Sequence, residues 1–105
     1  MPRSAAIGTL AAAFTAAGAA CEWERLGFLA RALAPQLATL AQSGAWTNAE
    51  LAALARLRTA HDGAAAACAD ALDALAAKLA EMRNNKDGWM AYALAGDTEL
   101  AGHEE

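Results

Sequence analysis

The sequence predicts an all-α protein, on three observations. Of 105 residues, 34 are Ala and 14 are Leu, so nearly half the chain consists of two strong helix formers. Strand formers are scarce: there is no Val, one Ile, six Thr and six aromatic residues, too few to furnish even a small sheet with cross-strand pairs. Apolar residues also recur at steps of three and four along most of the chain. The expected architecture is an elongated antiparallel helical hairpin or three-helix bundle, one domain over residues 1–105, with one long helix and a short C-terminal helix. Because most of the apolar count is Ala, which buries little area, its core is expected to be thin.

The first helix is expected to start with Ser4 as its cap and to turn Ile7, Leu10, Phe14, Ala17 and Cys21 to one side. The same stretch imitates a bacterial lipoprotein signal, with one Arg, an apolar run and small residues before a Cys. Gly8, Thr9, Thr15 and Gly18 interrupt that run, and Gly18 stands three before Cys21 where an aliphatic residue is usual. Fewer than 20 residues separate Arg3 from Glu22, so a membrane span is disfavoured and an ordinary helix is the working expectation.

Helical spacing continues through Trp23, Leu26, Leu29, Leu33, Leu37 and Leu40 to about Gln42. Pro35 lacks a backbone donor and crowds the carbonyl of Arg31, which predicts a kink or break there. Residues 1–42 therefore read as one bent helix or two short ones. Ser43-Gly44-Ala45-Trp46 reads as a connector, and Thr47-Asn48-Ala49-Glu50 has the spacing of a capping box. A long helix is expected over 47–83. Its seam runs through Leu51, Leu54, Arg58, His61, Ala65, Cys68, Leu72, Leu75, Leu79 and Met82 and on to Lys86 and Trp89, with Leu57 flanking it. Asn84-Asn85 and Asp87-Gly88 are the weak point, leaving 88–95 as a short terminal helix and 96–105 as a polar, acidic tail that frays.

Charge and chemistry narrow the function. Eight basic against twelve acidic residues give a net charge of −4, and no Lys/Arg cluster could neutralise a run of phosphates, so nucleic acid is not an expected partner. Cys21 and Cys68 stand apart from any CxxC or His motif, which suits a reducing compartment and two buried thiols. His61 and Cys68 would lie about 10 Å apart along a helix, too far to share a metal unaided, and His103 sits in the tail. Asp62, Asp70, Asp73 and Glu81 have the spacing of a solvated face, and no Ser, Cys or Lys nucleophile sits in a recognisable elbow. No catalytic residue, metal or cofactor is expected. What remains is an excess of apolar side chains near the C-terminal end, Met82, Trp89, Met90, Tyr92 and Leu94, on more than one face of their helix.

An amphipathic first helix runs into a small-residue, acidic and Trp stretch, AAGAACEWERL. A Leu-rich segment interrupted by Pro follows, LARALAPQLATL. Next come a loop and one long helix, LARLRTAHDGAAAACADALDALAAKLAEMR, and an aromatic ending, NNKDGWMAYAL. In this order the segments resemble the flagellar type III export chaperones of the FliT kind, over roughly residues 5–95. It implies a cytoplasmic bacterial chaperone, not an enzyme. Such a chaperone holds a helical part of the filament-cap or another flagellar axial protein, prevents premature assembly, and delivers it to the export ATPase complex. The client contacts so assigned are Leu75, Leu79 and Met82 on the long helix, with Trp89, Met90 and Tyr92 on a terminal helix that can act as a removable cover. The residues alone leave two alternatives: a lipoprotein anchored at Cys21 ahead of a periplasmic helical bundle, or a helical interaction module that dimerises through the long helix.

Overall fold

A computed structural model describes the backbone of residues 2–104 and the side chains of residues 2–96. Among the described residues the secondary structure is helical throughout: α1 (Arg3–Ala19), α2 (Trp23–Ala41) and α3 (Asn48–Glu104). No helix among the described residues is long and apolar enough to cross a membrane. The chain divides into two compact units, Met1–Asp70 and Ala71–Glu105.

The first unit is a three-helix bundle of α1, α2 and the opening turns of α3. Between α1 and α3 the pairing is in step: Arg3 meets Glu50, Phe14 meets His61 and Gly18 meets Ala64, so these two helices run in the same direction. Residues near the start of α1 line one groove with residues near the end of α2, so α2 runs against both. Ile7, Phe14, Ala17, Leu26, Ala53, Leu57 and Ala64 are buried, and the expected faces of α1 and α2 pack around them through Leu10, Trp23, Leu29, Leu33, Leu37 and Leu40. Three of these seven buried apolar residues are Ala, so the core is thin.

Local chemistry explains the element ends. Contrary to expectation, Ser4 is not the cap of α1: Pro2 holds that position in extended backbone without a side-chain cap bond, and the helix starts at Arg3. The reason is tertiary. Starting there keeps the Arg3 side chain at the end of the bundle where α2 closes and α3 opens, and all five of its N–H donors find acceptors. Nε and Nη2 donate to the two Glu50 oxygens at 2.8 and 2.9 Å, Nη1 to the carbonyls of Leu40 and Gly44 at 3.0 and 2.9 Å, and Nη2 also to that of Ala45 at 2.8 Å. The guanidinium lies 4.4 Å from the Trp46 ring centroid, within cation–π range. Gly44, at φ +109°, takes a conformation that other residues rarely adopt and presents its carbonyl to this cluster.

The capping box forms as its spacing predicts. Thr47 N–H donates to Glu50 Oε1 at 2.8 Å, and Glu50 N–H donates to Thr47 Oγ1 at 3.1 Å. Glu50 therefore serves the cap and the Arg3 fork together. Hydrogen bonds from Arg3, then from the Thr47 amide, hold its carboxyl below the usual glutamate range.

Four further expectations are corrected. The chain turns between α1 and α2 at Ala20–Glu22, not at Pro35. Glu22 N–H reaches the Ala17 carbonyl at 2.9 Å and Cys21 N–H reaches that of Gly18 at 3.3 Å, a Schellman closure with Cys21 at φ 57°. The helix α2 continues through Pro35 because both Pro35 and Arg31 are exposed, so the carbonyl that loses its partner faces water while Leu33, Leu37 and Leu40 hold the flanking turns.

Cys21 is exposed, not buried, because it occupies that turn; Cys68 is half-buried, and both are free thiols. Along the start of α3 the inward row is Ala53, Leu57, Ala60, Ala64 and Ala67, whereas Leu51, Arg58 and Ala65 of the expected seam are exposed. Gly18 explains the shift: a Cβ built there would come within 3.2 Å of the Ala64 Cβ, so the two backbones meet at small residues.

The fourth correction is that, among the described residues, no separate terminal helix follows the long one. α3 runs unbroken through Asn84, Asn85, Asp87 and Gly88. None of these alone stops a helix: Gly in a helix interior costs about 1 kcal/mol, and Met82, Arg83, Lys86 and Met90 around it are good formers. The tail expected to fray, 96–105 with His103, lies from residue 97 onward outside the residues whose side chains are described.

Candidate functional site

The second unit begins at Ala71 and carries all six residues predicted to contact a client. Leu75, Leu79, Met82, Trp89, Met90 and Tyr92 are all exposed, as are Leu72 and Leu94; the eight side chains range from 52% to 73% accessible. From Leu72 to Leu94 no described residue is buried.

Their arrangement follows from the helix. Leu72, Leu75, Leu79, Met82, Lys86 and Trp89 alternate steps of three and four, which at 100° per residue gathers them, with Met90, into a stripe about 100° wide. That is the spacing at which side chains seat as knobs in a facing helix. The stripe brings together five of the six predicted residues. Tyr92 falls outside it and flanks Trp89, the two rings meeting edge to face with centroids 6.1 Å apart. Asn84, Asn85 and Gly88 complete a shallow depression beside this aromatic pair. Seven large apolar side chains, each more than half exposed, lie together on this segment, and contiguous exposed apolar surface of this kind marks a partner site.

Sequence reasoning placed Lys86 on the seam but passed over Lys78 and Arg83, although the same helical arithmetic locates them. Lys86 lies within it, and Lys78 and Arg83 border its two edges. Asp73, Glu81 and Asp87 occupy the rest of the circumference. No ion pair ties Lys78, Arg83 or Lys86 to a carboxylate among the described residues.

The first unit offers less chemistry. His61 is half-buried, edge-on to Phe14 at 5.4 Å between centroids, with Nδ1 3.4 Å from an Asp62 oxygen. This is the position of a polar residue that marks helix register, and His61 stands on the bundle seam with Cys68. Among the described residues no group of three His, Cys, Asp or Glu side chains is placed to hold a metal ion. No protein-family model matches the chain, and neither does any curated protein or solved structure.

Proposed function

We propose that this chain is a bacterial flagellar export chaperone of the FliT kind, acting in the cytoplasm by binding and not by catalysis. The client is a helical segment of the filament-cap protein or of another axial protein. The observation that carries this reading is the stripe Leu72, Leu75, Leu79, Met82 and Trp89, exposed along a helix at knob spacing. An apolar face of this size is a liability unless a partner covers it, and a helix laid along it would bury the same face on both molecules. Met82 and Met90 add adaptable contacts suited to more than one axial client. Handing the client on to the export ATPase complex completes the proposed role. The order of sequence segments supports the flagellar assignment, and the exposed stripe supports the binding mode.

The test is co-elution of the soluble chain with the C-terminal segment of the filament-cap protein of the same genome. The expected result is a stable complex that L79E/W89E abolishes while the circular dichroism of the chain stays unchanged. Separate elution from the filament-cap and junction proteins alike would overturn the assignment. So would an intact mass from membrane fractions showing a lipidated chain that begins at Cys21.

A further inference from the structure

The kind of helix the stripe accepts is set by the charges around it. Between residues 71 and 96 there are three basic side chains, Lys78, Arg83 and Lys86, and three acidic ones, Asp73, Glu81 and Asp87. In heptad terms Leu72, Leu79 and Lys86 occupy one seam position and Leu75, Met82 and Trp89 the other; Lys78 and Arg83 then take the two flanking positions that decide partner choice. The remaining flanking positions are Ala71, Ala76, Asn85, Met90 and Tyr92, none of them acidic. Every cation of this segment thus borders or enters the apolar stripe, and every anion lies off it.

We propose that the 71–94 face selects an amphipathic helix whose own flanking positions are acidic; this rests on the proposed binding mode and specifies its partner. Lys78 and Arg83 supply the attraction on the two edges, and the Lys86 stem lies along the apolar seam with its ammonium reaching a carboxylate at the rim.

A second copy of the same segment is the wrong occupant. In a parallel pair Lys78 faces Arg83 of the other copy and Lys86 faces Lys86. An antiparallel pair brings no carboxylate to a flanking position in any register. An anionic membrane is also disfavoured, because the three cations are balanced by three anions on the same segment, whereas surface binding needs uncompensated Lys and Arg.

The experiment titrates the full chain with three labelled amphipathic peptides of about 28 residues, a length that sustains helix. All share a Leu seam and carry Glu, Gln or Lys at the flanking positions. The expected result is binding of the Glu peptide about tenfold tighter than the Gln peptide at low salt, weakest binding of the Lys peptide, and a preference that fades at high salt. The variant K78E/R83E/K86E, altered only at exposed positions, should keep its helicity and reverse the order. Equal affinity for the three peptides, or no binding to any, overturns the proposal. It is also overturned by a dimer in sedimentation that L79E dissolves, or by tighter partition onto phosphatidylserine vesicles than onto the Glu peptide. Its failure is distinct from failure of the flagellar reading. A filament-cap segment that co-elutes equally with the wild-type chain and K78E/R83E/K86E refutes the charge selection alone; charge-ordered peptide binding without any flagellar client refutes the flagellar assignment alone.

Discussion

Replacing Phe14 with Ala tests whether the first unit carries the stability and the second carries the binding face. Phe14 is 1% exposed and touches the core from the middle of α1. The substitution removes six ring carbons, and lost burial plus the residual cavity cost about 3–5 kcal/mol for Phe→Ala. The upper half of that range is expected because the neighbours Ala17 and Ala64 are too short to fill the void. A 70-residue unit holds about 4–10 kcal/mol in all, so the variant should be close to unfolded at room temperature. Urea denaturation followed by far-ultraviolet circular dichroism and Trp fluorescence measures this, with a midpoint lowered by about 4–5 M at a slope near 1 kcal/mol per M. Leu79→Ala is the counterpart, since its side chain is exposed and its loss should cost under about 0.5 kcal/mol. A cost for Leu79→Ala equal to that of Phe14→Ala would refute the division, because the stripe would then be core.

Three further expectations follow from the bundle. The Glu50 carboxylate is stabilised by Arg3 and the Thr47 amide and its pKa is lowered, so its contribution is complete above the ordinary glutamate range and is lost as pH falls through the lowered value. The thermal midpoint should fall between roughly pH 5 and pH 3 more steeply in the wild-type chain than in Arg3→Met, which lacks the partner. Cys21→Gly should raise stability by about 0.5–1 kcal/mol in the same urea titration, since Gly takes the positive φ without Cβ strain. Pro35→Ala should add about 1–2 kcal/mol by restoring the donor to the Arg31 carbonyl, again read from the urea midpoint.

What the sequence made legible was local. The capping box needs only four consecutive residues, and the Leu rows of α2 and of 72–82 need only their own spacing. The Arg3 cluster was illegible because its acceptors lie 37 to 47 positions away, and nothing near Arg3 announces them. The inward row of early α3 was displaced for a related reason. A reading weighted toward Leu passes over Ala53, Ala60 and Ala64, yet close backbone contact at Gly18 demands small residues there. The stripe itself could be traced from spacing, but not whether it was covered, since an apolar row at steps of three and four looks the same in a core and on a surface. Lys86 is legible as a member of that row, whereas Lys78 and Arg83 stand at its edges and show only when the charges are placed on the same wheel.

Alanine has a different task in each unit, and this yields a last prediction. In the bundle it lets α1 and α3 approach, so that Ile7, Phe14, Leu26 and Leu57 suffice as large core residues. In 71–95 nothing is buried, and helix there depends on propensity; Ala77 and Ala80 stand off the stripe and contribute only that. A stripe already held in helical form spares a partner the cost of ordering it. Ala77→Gly with Ala80→Gly removes about 2 kcal/mol of helix propensity without altering the binding face. Helicity of the free chain should fall, and affinity for the Glu-flanked peptide should fall by up to about 30-fold, while the urea midpoint read by Trp46 in the bundle stays in place. Unchanged affinity despite lost helicity would show that the partner, and not the alanine-rich backbone, organises the face.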